Sequence, residues 1–136
     1  MKRTFFSLAL LLAVATLTAQ TKMTAREAAV KIADRILAST TYEFKNTKTG
    51  EIYKSVKKLP LDMDVKVACK YNNWHYTNGV TNMALMELGD KLGDKKYEKY
   101  VLKNMNFVFN EGNLDFFRKQ YDEAFKRDGW NAVRKL

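Results

Sequence analysis

The sequence predicts an all-α protein built around a helical hairpin, and three observations carry that expectation. Apolar residues recur at i, i+3 and i+4 spacing through 24–39, 77–92 and 94–110, the period of an amphipathic helix. Gly93 and Asp94 stand together between the last two stretches, a helix stop followed at once by a helix start. Thr24-Ala25-Arg26-Glu27 has the form of a capping box at the head of the first stretch.

Residues 1–20, M-K-R-T-F-F-S-L-A-L-L-L-A-V-A-T-L-T-A-Q, are set apart from the fold. Lys2 and Arg3 give a positive start, Phe5 to Leu17 an apolar run, and small residues close it, with Ala19 before the expected cut. That is the pattern of a secretory signal peptide. A membrane anchor is the lesser reading, because a spanning helix needs roughly 20 apolar residues. No Cys follows the run to accept a lipid. Residues 21–136 are then expected to form one domain, secreted or periplasmic.

The chain has 136 residues, 46% hydrophobic and 29% charged, the balance of a globular rather than a disordered protein. Net charge is +9, or +7 once Lys2 and Arg3 leave. A basic chain attracts polyanions, and outside the cytoplasm nucleic acid is the least expected of them. The cations are scattered (Lys57–Lys58, Lys95–Lys96, Arg134–Lys135) and read mostly as solvated faces. Cys69 is the only cysteine and His75 the only histidine, so neither a disulfide nor a zinc set is expected, and no cofactor is implied. Cys69, beside Val67 and Ala68, reads as a small buried hydrophobe.

The first mature helix, 24–39, places Ala29, Ile32, Ala33, Ile36 and Leu37 on one face. Between 40 and 72 the pattern loosens. N-T-K-T-G-E at 46–51 is a turn, with Gly50 free to take positive φ, and the runs around it (41–44, 52–56) suit extended chain. Pro60 marks a loop, and a short helix is expected around 62–70. Asp62 and Asp64, two apart, do not make an acid/base pair on such a helix.

The helix at 77–92 carries Val80, Met83, Ala84, Leu88 and Leu92 as its apolar stripe, with Thr77 or Asn78 as N-cap and Gly93 as the left-handed stop. Asp94 caps the next helix, whose apolar positions are Tyr97, Tyr100, Val101, Met105 and Val108 before Asn110 and Gly112 end it. So short a connection makes the pair antiparallel. Residues 113–128 form either a further helix or an aromatic-rich loop. Trp130 and Val133 call for a packing partner, and the aromatic load exceeds what three helices bury. This suggests the front portion of a longer protein.

The stretch N-N-W-H-Y-T-N-G-V at 72–80 gathers rings and amides where a helix begins. Each residue has a plain structural reading: Trp74 and Tyr76 in hairpin packing, His75 as a hydrogen-bonding support, Asn78 as a cap, Asn72, Asn73 and Asn82 on loop and helix surface. The functional alternative for Trp74 and Tyr76 is contact with a sugar.

Together, Trp74, Tyr76, Asn78-Gly79 and Gly93-Asp94-Lys95-Lys96-Tyr97, running on to 109, resemble the first helical hairpin of glycoside hydrolase families 88 and 105. These are the unsaturated glucuronyl and rhamnogalacturonyl hydrolases. The resemblance implies the N-terminal hairpins of an (α/α)6 barrel, incomplete in this chain. It implies a glycosidase that removes unsaturated uronic acids from oligosaccharides made by polysaccharide lyases, by hydrating the C4=C5 double bond with an aspartic acid. Trp74, Tyr76 and Asn78 would then form a substrate-contacting rim for an acidic oligosaccharide. The family's Leu-Asp-Asp-x-Gly motif is absent. Leu114-Asp115-Phe116 and Arg127-Asp128-Gly129 do not match it, so no catalytic residue is assigned and the chain itself is expected to be inactive. The alternative is a small secreted module that binds acidic glycans without catalysis.

Overall fold

The computed structural model describes residues 23–61 and 64–133; the expected signal peptide and Asp62 lie outside them. Among the described residues four helices and three short strands follow one another: α1 (Ala25–Ser39), β1 (Phe44–Asn46), β2 (Ile52–Tyr53), β3 (Val65–Val67), α2 (Tyr76–Leu92), α3 (Lys95–Val108) and α4 (Glu111–Val133). The all-α expectation is therefore corrected to a mainly helical fold with a small antiparallel sheet. The described residues divide into two compact units, one ending at Lys31 and the other beginning at Ile32.

In the first unit the capping box at the head of α1 forms as expected. Glu27 accepts from the Thr24 backbone N–H at 2.8 Å, and Thr24 Oγ1 accepts from the Glu27 N–H at 3.2 Å. Two of the donors that a helix start leaves unpaired are thereby satisfied.

In the second unit the sheet has the order β2-β1-β3. Phe44 pairs with Tyr53 on one side and Val67 on the other, while Lys45 faces Lys66. The period-2 alternation sends Phe44 and Val65 inward, against Phe116 of α4. The Gly50 turn is as predicted, at φ 79°, and the Asn46 side chain accepts from the backbone N–H groups of Lys48 and Thr49. The helix expected at 62–70 does not form. Val65 and Val67 are β-branched residues that pair with β1 instead, and Asp64 bonds Lys48 at 2.7 Å across the turn.

The hairpin of α2 and α3 forms as predicted, with Gly93 left-handed at φ 66° and Asp94 capping α3 by accepting from Lys96 N–H. Its core gathers Leu85, Tyr97, Tyr100 and Val101 with Ala33 of α1. Burying each large side chain contributes about 1.5–3 kcal/mol. The stripe on α2 is displaced from the expected one. Val80 and Met83 are exposed, and Asn78, Asn82, Leu85 and Gly89 face inward. Gly89 sits at a close approach: a Cβ there would stand 3.2 Å from both Asp94 O and Tyr97 Cβ, tighter than most Cβ contacts, so these neighbours would have to give by a few tenths of an ångström. Gly112 does not end α3; it lies in the first turn of α4, which Asn110 caps through its side-chain oxygen. Residues 113–127 are helical, and the break comes at Asp128–Gly129, where Asp128 takes φ −148°, ψ 22° and Gly129 φ 53°, ψ −143°.

Tyr97 is fully buried, and its hydroxyl donates to Asp34 Oδ1 at 2.9 Å, which also meets Lys96 Nζ at 2.8 Å. Lys96, then the tyrosine hydroxyl, holds the Asp34 carboxyl below the usual carboxylate range.

Three outcomes are expected. Ala at Gly79, where a Cβ meets nothing within 4 Å, should raise stability by about 0.5–1 kcal/mol. Ala at Gly89 should lower it by about 1 kcal/mol, and denaturant midpoints compare the two. Because the folded pKa of Asp34 is depressed, the stability it contributes is complete above the ordinary Asp range. It is lost as pH falls below about 4. Thermal midpoints of Asp34→Asn should therefore show a shallower acid decline than wild type.

Candidate functional site

The loop before α2 is irregular backbone brought against the hairpin, so its carbonyl groups need partners. Asparagine side chains supply them. Asn78 Nδ2 lies 2.9 Å from Lys70 O, 3.0 Å from Asn73 O and 2.6 Å from Asn73 Oδ1. Asn104, on α3, donates to Tyr71 O at 3.1 Å and to Asn82 Oδ1 at 3.1 Å. Asn72, fully buried, donates to Thr41 O at 2.6 Å. The expected surface positions of Asn72 and Asn82 are thus overturned: 0% and 7% of each is exposed.

The N-cap of α2 is neither Thr77 nor Asn78. It is His75, extended at φ −100°, whose Nδ1 accepts from Thr77 N–H and lies 2.8 Å from Thr77 Oγ1. An imidazole acceptor can serve where Ser, Thr, Asn or Asp is usual, and the chain turns into the helix one residue earlier than predicted. His75 thus has the supporting role expected of it.

With the loop so held, two of the three rim residues are displayed. Trp74 is 52% exposed and Tyr76 is 79% exposed. Phe117 of α4 meets Trp74 edge-on at 5.5 Å between ring centroids, and Tyr76 lies 5.0 Å from the His75 ring, tilted by 31°. Asn78 is buried and bonds the loop, so it positions the rim from beneath.

Trp74 stands between two concavities. The first, of about 420 Å3, runs along β3 and α4 past Lys66, Phe117, Gln120 and Tyr121. The second, of about 380 Å3, is floored by Asn72, Asn78, Asn82 and Asn104 and walled by Tyr76, Met105 and Phe109. Both are within the range of small-ligand sites. Trp74 and His75 line both, and among the described residues no Asp or Glu lines either. Among the described residues no group of three or more His, Cys, Asp or Glu is placed to hold a metal ion.

Sequence reasoning missed Asn82, Asn104 and Phe117. For the asparagines a signal existed: 78, 82, 85 and 89 keep helical spacing, as do 97, 100, 101 and 104, so each Asn lies on the stripe of its own buried neighbours. Comparison with family models, with curated proteins and with solved structures finds no match to this chain.

The asparagine bonds predict that Asn78→Ala, which strips Lys70 O and Asn73 O of their donor, destabilises the fold by about 1–3 kcal/mol. Val80→Ala, at a 61% exposed position on the same helix, should stay within about 0.5 kcal/mol. Urea midpoints measure both, and amide exchange over 70–75 should quicken only in the first.

Proposed function

We propose that the Trp74–Tyr76 lip is a sugar-binding surface. We further propose that the chain is the N-terminal part of a secreted glycoside hydrolase that removes unsaturated uronic acid residues from oligosaccharides left by polysaccharide lyases. Water adds across C4=C5 of the terminal sugar, and the hemiketal so formed collapses to release the next one. The observation that carries this reading is Trp74 itself. A large ring half open to solvent, braced edge-on by Phe117 and flanked by two concavities, suits stacking on a sugar face. The motif resemblance over 74–97 supplies the reaction class.

A second reading, a secreted module that binds acidic glycans without catalysis, is favoured by one observation: among the described residues no carboxyl group lines either concavity. A proton donor for hydration would then have to come from elsewhere than these two walls.

Calorimetric titration of the chain with an unsaturated uronate-ended disaccharide should show binding that weakens at least about tenfold in Trp74→Ala, about 1.4 kcal/mol. The ultraviolet absorbance of the double bond should persist. Equal affinity in Trp74→Ala would contradict the sugar-binding role, and loss of absorbance would contradict the expectation that this chain is inactive.

A further inference from the structure

We propose that the outer edge of β3 is a docking site for an extended peptide of apolar-polar-apolar pattern, which adds to the sheet as a further strand along the first concavity. This stands apart from the sugar reading, which rests on the ring of Trp74.

The ladder fixes which backbone groups are left over. With the order β2-β1-β3, β3 is an edge strand. Ala68 N–H donates to Glu43 O at 2.9 Å, and Thr47 N–H donates to Asp64 O at 2.8 Å. Lys66 pairs with Lys45 midway between those two bonds. Hydrogen-bonded pairs alternate along an antiparallel ladder, so Lys66 turns its N–H and C=O to β1, and Val65 and Val67 turn theirs to the outer edge. Gln120 of α4 shows what that edge accepts: its side-chain amide donates to Val65 O at 2.9 Å, in the place of a strand N–H. For Val65 N–H, and for Val67 N–H and C=O, no partner stands among the described residues. Such a row of donors and acceptors is the template that strand addition uses.

The surroundings select the side chains. The concavity of about 420 Å3 borders this strand, with Trp74, Phe117, Gln120 and Tyr121 in its lining. Val65 and Val67 share one face of the sheet and pack with Phe116 and Phe117. Residues of an added strand opposite them would be two apart and project to that same face, where apolar side chains extend the cluster. The residue between them would lie on the other face, beside Lys66, and is polar. A backbone repeat of this kind is matched by another peptide, and one of few residues spans it.

The probe is a pentapeptide blocked at both ends, with valine second and fourth and threonine elsewhere. A control peptide carries N-methyl groups on both valines, which keeps the side chains and removes their N–H donors. With the 15N-labelled full chain and millimolar peptide, the Val65 and Val67 amide resonances should move and their exchange with solvent should slow. The N-methylated peptide should bind at least about tenfold more weakly. Val67→Pro, which removes an outward N–H and no bond to β1, should weaken binding similarly; the control peptide reads the same contact in the wild-type chain if that variant does not fold. Equal binding of the two peptides, shifts confined to β2 around Ile52, or no binding overturns the proposal. A sedimenting mass doubled without peptide, with Val65 and Val67 already protected, assigns the edge to a second copy and overturns it too. The sugar reading stands under each of these results.

Discussion

Buried asparagine amides bonded to the carbonyls of an irregular loop are the interaction on which the rest of the structure depends. Residues 70–73 would otherwise leave Lys70 O, Tyr71 O and Asn73 O facing protein without a donor. A buried group so orphaned costs about 1–3 kcal/mol. Asn78 and Asn104 reach them from α2 and α3, and Asn72 reaches back to Thr41 O. The loop is tied to the helical hairpin on one side and to the segment entering β1 on the other. Trp74 and Tyr76 follow directly from this tether and are displayed because of it.

The hairpin can hold the loop because it is itself rigid at its closed end. Gly89 lets α2 approach Asp94 and Tyr97 more closely than most Cβ contacts do, and Tyr97 is buried with its hydroxyl on Asp34. The second cluster, Phe44, Val65 and Phe116, brings α4 to the sheet and so places Phe117 against Trp74. One ring of the lip therefore depends on contacts made by three different elements.

Much of this was legible in the sequence where the chemistry is local. The capping box at Thr24, the left-handed Gly50 and Gly93, and the Asp94 cap each follow from a few adjacent residues, and all are found. The hairpin followed from the helical period and the absence of any spacer. What was not legible depends on distant partners. Val65–Lys66–Val67 is too short to distinguish a strand from a helical turn, and it becomes a strand because Phe44 and Phe116 bury Val65. Val80 and Met83 looked like core by their helical spacing. The inward face instead belongs to Asn78 and Asn82, whose carbonyl and amide partners lie on the loop and on α3. Trp74 and Tyr76 were legible as rings at a helix mouth, with packing and sugar contact both open to them, while the floor beneath them was not.

The central claim is that the ring held between the two concavities meets the sugar. Trp74 and Trp130 are the only two tryptophans in the chain, so a 15N-labelled sample gives two indole N–H resonances. Titration with an unsaturated uronate-ended disaccharide is predicted to move the Trp74 resonance progressively and leave that of Trp130 in place. Movement of Trp130 alone, or of neither at saturating ligand, would contradict the account.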